Sequence, residues 1–248
     1  MNERSIADVP LAARAVLALA LGLQLAWQAT QPVLLARAED LAPPPTPAVL
    51  NVMSLGEPVA LARGLMLYLQ AHDNQPGIQV PFLKLDYARV QAWLAAVLLL
   101  DPSGQYPLMA ASQLYAQVND PVRQRQMTEF VYQQFADDPN RRWPWLAHAA
   151  FTAKHRLHDL PLARKYAQAL RLQATGPAVP AWAQQMEIFL MEDLNEFEGA
   201  RILLGGLLQS GQITDPNEIA FLSRRLDELK VKSAQAGQNG AGENKCGL

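Results

Sequence analysis

Apolar and polar positions divide this chain into one long charge-free run followed by many short periodic ones. From Ala15 to Ala36 there are 22 residues without a charge, bounded by Arg14 and Arg37. That is enough to cross a bilayer as a helix, which takes about 20 residues. From Val49 onward apolar residues recur at three- and four-residue spacings, and Ala, Leu and Gln dominate. No stretch shows β-branched residues at period two, so the spacing predicts an all-α chain.

Asp-Pro, Gly-Pro and Ser-Gly steps punctuate these helices, and the punctuation repeats. DPSGQYP at Asp101–Pro107 and DPNRRWP at Asp138–Pro144 are offset by 37 residues. Each copy ends in aromatic-Pro, which places Pro107 and Pro144 in the first turn of a following helix, where a missing N–H costs nothing. A looser copy is Gly176–Pro180, and Asp215-Pro216 opens a fourth. Between these marks, LHDLPLAR from Leu157 and LNEFEGAR from Leu194 are again 37 apart. A period near 37, built from helix, turn, helix and turn, predicts an α-solenoid.

The pairs read as Pro58–Ala71 with Phe82–Leu100, Tyr106–Val118 with Pro121–Phe135, Trp143–Leu157 with Pro161–Ala174, and Pro180–Leu194 with Glu198–Gln209. Pro216–Lys230 would be a polar capping helix. The expected fold is thus an N-terminal transmembrane helix, then about four antiparallel helix pairs and a cap.

LDYARVQAWLAAVLLLDP, from Leu85 to Pro102, resembles the second half of a tetratricopeptide repeat, with Asp-Tyr at the turn, Val90 at a small-residue position and Asp101-Pro102 as terminator. His158–Leu170 and Asn195–Leu208 are similar. The resemblance covers about Pro58 to Leu208. It departs from the family in its period of about 37 rather than 34 and in lacking a clean Trp-x-x-Leu-Gly pattern. What it implies is a protein-binding scaffold with a concave groove, rather than an enzyme.

The expected organisation is an N-terminal cytoplasmic stub (1–14), a transmembrane anchor (15–36), a Pro-rich linker (37–48), the repeat domain (49–230) and a disordered tail (231–248). LAPPPTP favours an extended spacer. Arg4 and Arg14 before the apolar run favour an inside N-terminus, with the repeat domain in the periplasm of a bacterium and the anchor in the inner membrane. Two other readings of the run are a secretory signal cleaved after Ala36-Arg37-Ala38 and a buried core helix. Gln24, Gln28 and Gln31 share one face and are candidate contacts to another membrane helix.

Composition narrows the classes. Charged residues make up 18% of the chain, against about 25% in an average soluble protein. The formal net charge is −2, which argues against nucleic acid as a partner. A single cysteine, Cys246, excludes an internal disulfide and any cysteine-built metal site. No glycine-rich phosphate loop, haem-attachment motif or zinc-protease motif occurs, so no cofactor is expected.

Candidate chemistry is sparse. His148 and His155 are seven residues apart, about 10 Å along a helix, too far to share an ion. His155 and His158 lack an evident third ligand beyond Asp159. Arg141, Arg142 and Trp145 combine residue types common in binding hot spots, at a loop entering a helix. The plainer reading has Trp143 and Trp145 packing locally and both arginines in solvent.

MEDLNEFE supplies Glu192, Asp193 and Glu196, read first as a solvated acidic turn. Residues 121–171 hold nine Lys or Arg against four Asp or Glu, while residues 172–200 hold five acids and no base. Adjacent repeats would then attract one another, or present a bipolar surface to a partner. These features lead to the expectation of a non-enzymatic protein–protein scaffold assisting an envelope complex. The alternative is an accessory subunit of a membrane-bound enzyme or respiratory complex.

Overall fold

The computed structural model describes residues 10–31, 40–72, 74–75, 78–211 and 213–243, the backbone alone at 74, 78 and 236–243. Among the described residues the protein is helical apart from a two-stranded hairpin, Asn74–Gln75 with Ile78–Gln79, in the loop after the third helix. Two compact units divide the chain. The first contains α1 (Leu11–Thr30) and the second contains all later helices.

Helix α1 is long and apolar enough to cross a membrane, and none of it is buried. It starts four residues before the charge-free run and includes Arg14. It ends at Thr30, so Gln31 is extended and lies off the helix that carries Gln24 and Gln28. Proline at position 32 is the physical reason, since the residue before proline is pushed out of the α region. The rest of the expected anchor, residues 32–36, lies outside the described residues.

The second unit opens on the expected linker, part of which is packed rather than free. Leu41 is buried, and the carbonyls of Leu41 and Ala42 accept hydrogen bonds from Arg89 (2.5 Å) and the Trp93 indole (2.7 Å). A short helix, α2 (Pro47–Met53), follows with proline at its start, a helix that periodicity over seven residues cannot show. Then come α3 (Pro58–Ala71), α4 (Tyr87–Leu100), α5 (Tyr106–Gln113), α6 (Pro121–Phe135), α7 (Pro139–His155), α8 (Leu160–Gln173), α9 (Ala181–Asp193), α10 (Phe197–Gln209) and α11 (Pro216–Glu243). Each of α7 to α10 packs mainly against the helix before and after it, and α11 packs on α10.

Local chemistry explains the boundaries. Asp86, Asp120 and Asp159 accept hydrogen bonds from backbone N–H groups in the first turns of α4, α6 and α8, satisfying donors that would otherwise have no partner. The turns before α8 and α10 each hold a residue in the left-handed conformation, His158 (φ 51°) and Asn195 (φ 62°). These two residues are 37 apart. Val90, Ala163 and Ala200, in the first turns of α4, α8 and α10, are fully buried.

Three expectations are corrected here. Helix α7 begins at Pro139, directly after Asp138, so Pro144 lies inside the helix rather than in its first turn. Phe82–Lys84 is a separate 3₁₀ turn, and α4 begins only at Tyr87. Helix α11 runs to Glu243, well past Lys230. The last five residues, including Cys246, lie outside the described residues.

Candidate functional site

Charge is organised across helix boundaries. Basic residues of α7 and α8 face acids on the following helix pair, and acids of α9 face bases on α11. Lys154 pairs with Asp193 (2.5 Å), Arg164 with Glu196 (2.6 Å) and Arg171 with Glu187 (2.6 Å). Glu192 is 8% exposed and is held by Arg225, with Lys232 at 3.7 Å. The acidic turn is solvated only in part. Glu192 is buried, whereas Asp193 and Glu196 stay exposed while pairing with bases on the preceding helices. The opposite charge balance of the two segments accounts for the pairs of Asp193 and Glu196, while the buried Glu192 draws its cations from α11, since a carboxylate loses its water only where a cation replaces it.

The Arg-Trp patch also turns inward. Arg142 is 3% exposed and donates to the carbonyls of Gln134 and Pro102, the latter at 2.9 Å, and to Asp137 at 3.2 Å. Placing Arg142 in solvent was mistaken, because the upstream start of α7 turns its side chain under the preceding helix pair. Trp145 is half-buried and donates from its indole N–H to Gln105 Oε1 (2.7 Å). Arg141 alone stays exposed, paired with Asp138 at 2.5 Å. Trp143 meets Trp182 edge-on at 5.4 Å.

Several long-range links join groups between 33 and 39 residues apart. Gln91 donates to the Gln126 carbonyl, Lys165 to Glu129, Asn140 accepts from the Gly176 amide, Arg156 donates to the Gln117 carbonyl, and Gln185 donates to Glu218. These partners lie 35, 36, 36, 39 and 33 residues apart.

A second cluster escaped sequence reasoning. Tyr132 and Tyr166 lie 5.2 Å apart with Lys165 4.3 Å over the Tyr132 ring, and the Tyr166 hydroxyl donates to Glu129 at 3.0 Å. Burial pushes the Tyr166 phenol well above its ordinary range. No spacing rule points to this group, because its members come from two helices.

Histidines do not converge on a metal. Among the described residues no three or more His, Cys, Asp or Glu side chains group as metal ligands. Helix α7 instead exposes Phe151, stacked at 4.4 Å on His155, with His148 at 6.3 Å. Burial, together with the Arg156 charge, holds the His148 imidazole below its usual range. His158 is committed to its left-handed turn. Tyr68 and Phe151 are 47% and 56% exposed.

Two concavities lie within the helical unit. One of about 390 Å³ lies between α3, α4 and the start of α5, lined by Ala62, Arg63, Met66, Val97 and Tyr106. The other, of about 770 Å³, is bordered by Arg171, Gln184, Ile202 and Gly206. No family model, curated protein or solved structure matches this chain.

Proposed function

We propose that this protein is a non-enzymatic protein–protein scaffold, built as a tetratricopeptide-like α-solenoid and tethered by α1 to the bacterial inner membrane, with its repeat domain in the periplasm. It assists assembly or stability of an envelope complex. The observation that supports the reading is the spacing of 32 to 40 residues shared by most of the bonds that link one helix pair to the next, together with left-handed turns 37 apart. A stack in which each pair touches only its neighbours produces such an interval. Tethering would raise the local concentration of the scaffold for partners at the membrane.

Gln24 and Gln28 favour a second reading. They lie four residues apart on an apolar helix with no buried residue, and polar side chains in lipid gain from hydrogen bonds to another helix. On that reading the chain is an accessory subunit of a membrane-bound enzyme or respiratory complex.

Affinity purification of the full chain in detergent distinguishes the two. A scaffold returns substoichiometric client proteins, whereas a subunit returns a stoichiometric membrane complex that Gln24→Leu with Gln28→Leu disperses. Release of the chain from membranes by alkaline wash would overturn both.

A further inference from the structure

Resting on the reading of α1 as a membrane anchor, we propose that the corner formed by α2 and the start of α3 is a membrane-contacting surface, with Val52, Met53 and Leu55 seated in the interfacial layer of a bilayer. Helix α2 is held to the helical unit through Leu50 and through Ser54, both buried. Its outward positions are Val49, Val52 and Met53, which share one face at three- and four-residue spacing. They are 47%, 74% and 47% exposed. Leu55 is 90% exposed, and Val59 beyond it is exposed as well.

Scattered exposed apolar residues need no explanation, but three on one helix face with a nearly fully exposed leucine at the turn beyond it do, even with the exposed Glu57 close by along the chain. The backbone makes the point sharper. Leu55 sits at φ 47°, a conformation that a branched L-residue avoids, and it is followed by Gly56 at φ 89°. The turn is tied down by Ser54 N–H to Leu50 O (2.9 Å), Leu55 N–H to Val52 O (3.2 Å) and Glu57 N–H to Ser54 O (2.7 Å). The fold therefore holds a leucine in a strained conformation and points it into solvent, a cost with no return in water.

Three observations favour lipid as the occupant. The sequence from Leu41 to Gly56 has no charge over 16 residues, whereas α11 at the other end of the unit carries Arg224, Arg225, Asp227, Glu228 and Lys230. Only ten residues, 31–40, join the end of α1 to the docked Leu41, a reach below about 40 Å even when fully extended. Arg63, one turn beyond Val59, is exposed and makes no ion pair among the described residues, leaving a cation for lipid phosphate.

The test uses the full chain with Cys246→Ser, carrying an environment-sensitive fluorophore on Leu55→Cys or, in a second variant, Val52→Cys, in vesicles of phosphatidylcholine and phosphatidylglycerol. Val122→Cys, at an exposed apolar site on α6, is the control. Seating in the interface predicts about twofold or greater quenching of both test labels by headgroup-region spin-labelled lipid, none at 122, and protection from iodide. Equal iodide access at 55, 52 and 122 overturns the proposal. So does protection from iodide without lipid quenching, which would mean that protein covers the corner. An alkaline wash of the same vesicles separates the two layers of inference. A chain that stays bound with wet labels sinks this proposal alone, and a chain that washes off removes the anchor reading with it.

Discussion

Arg171, near the end of α8, reaches Glu187 in the middle of α9 at 2.6 Å, and that carboxylate is 1% exposed. Arg164 stands 3.9 Å from the other oxygen. Two arginines of one helix thus neutralise a carboxylate buried in the next. Their own side chains keep about a third of their surface in water, so the desolvation cost falls mainly on Glu187.

Arg171→Ala should therefore destabilise the helical unit by about 3 kcal/mol, the range for leaving a buried charge without its partner. Arg171→Met combined with Glu187→Leu should recover most of the loss. Urea unfolding followed by circular dichroism reads this as a lower midpoint at unchanged slope for the single variant.

Two adjacent arginines should behave differently. Arg142 is buried and bonds to the Pro102 carbonyl of the preceding turn, so Arg142→Ala should cost about 3 kcal/mol through unpaired buried acceptors. Arg141 holds only an exposed pair with Asp138, and Arg141→Ala should change stability by less than about 0.5 kcal/mol. Thermal melts of the two variants side by side decide it, and equal losses would contradict the burial.

Left-handed turns give a third outcome. At His158, where φ is 51°, glycine relieves a steric clash, and His158→Gly should gain about 0.5 kcal/mol, while His158→Val should cost about 1–2 kcal/mol. Asn195 tolerates the same conformation better, so Asn195→Gly should stay within about 0.5 kcal/mol of the parent. Denaturant midpoints measure all three.

Acid should weaken the fold in two stages. Burial, with the Arg156 charge adding to it, lowers the His148 pKa below 6.5, so the unfolded chain takes up that proton first. Stability is then complete above 6.5 and declines as pH falls below it. His148→Gln should flatten that slope. Further down, the Arg123 amide at Asp120 and the Arg125 guanidinium at Asp159 hold both carboxyls below 3.8, and the stability they supply is lost as pH drops past that value. Melting temperature against pH for parent and His148→Gln checks the first stage.

Much of the helix plan was legible along the chain. Pro58–Ala71 and Pro121–Phe135 have the bounds that periodicity and proline placement predict. Pro144 misled because two helix starts, Asp138-Pro139 and Trp143-Pro144, compete five residues apart, and the upstream one prevailed. Helix α2 was illegible because a seven-residue helix has too few apolar positions to show a period, and it depends on Leu50 finding a buried site.

By itself the sequence determined that this chain is helical, that its first helix is long and apolar enough for a membrane, and that two pairs of turn motifs lie 37 residues apart, since propensity and capping act within a few residues of each other. Only the tertiary structure decided which charges are buried. Glu187, Glu192 and Arg142 look like any other charged residues along the chain. Their roles depend on partners 16, 33 and 40 residues away, and burial is a property of what packs against a side chain rather than of the side chain itself. The same holds for Leu55, whose exposure and backbone strain arise from a turn that Leu50 and Ser54 hold in place.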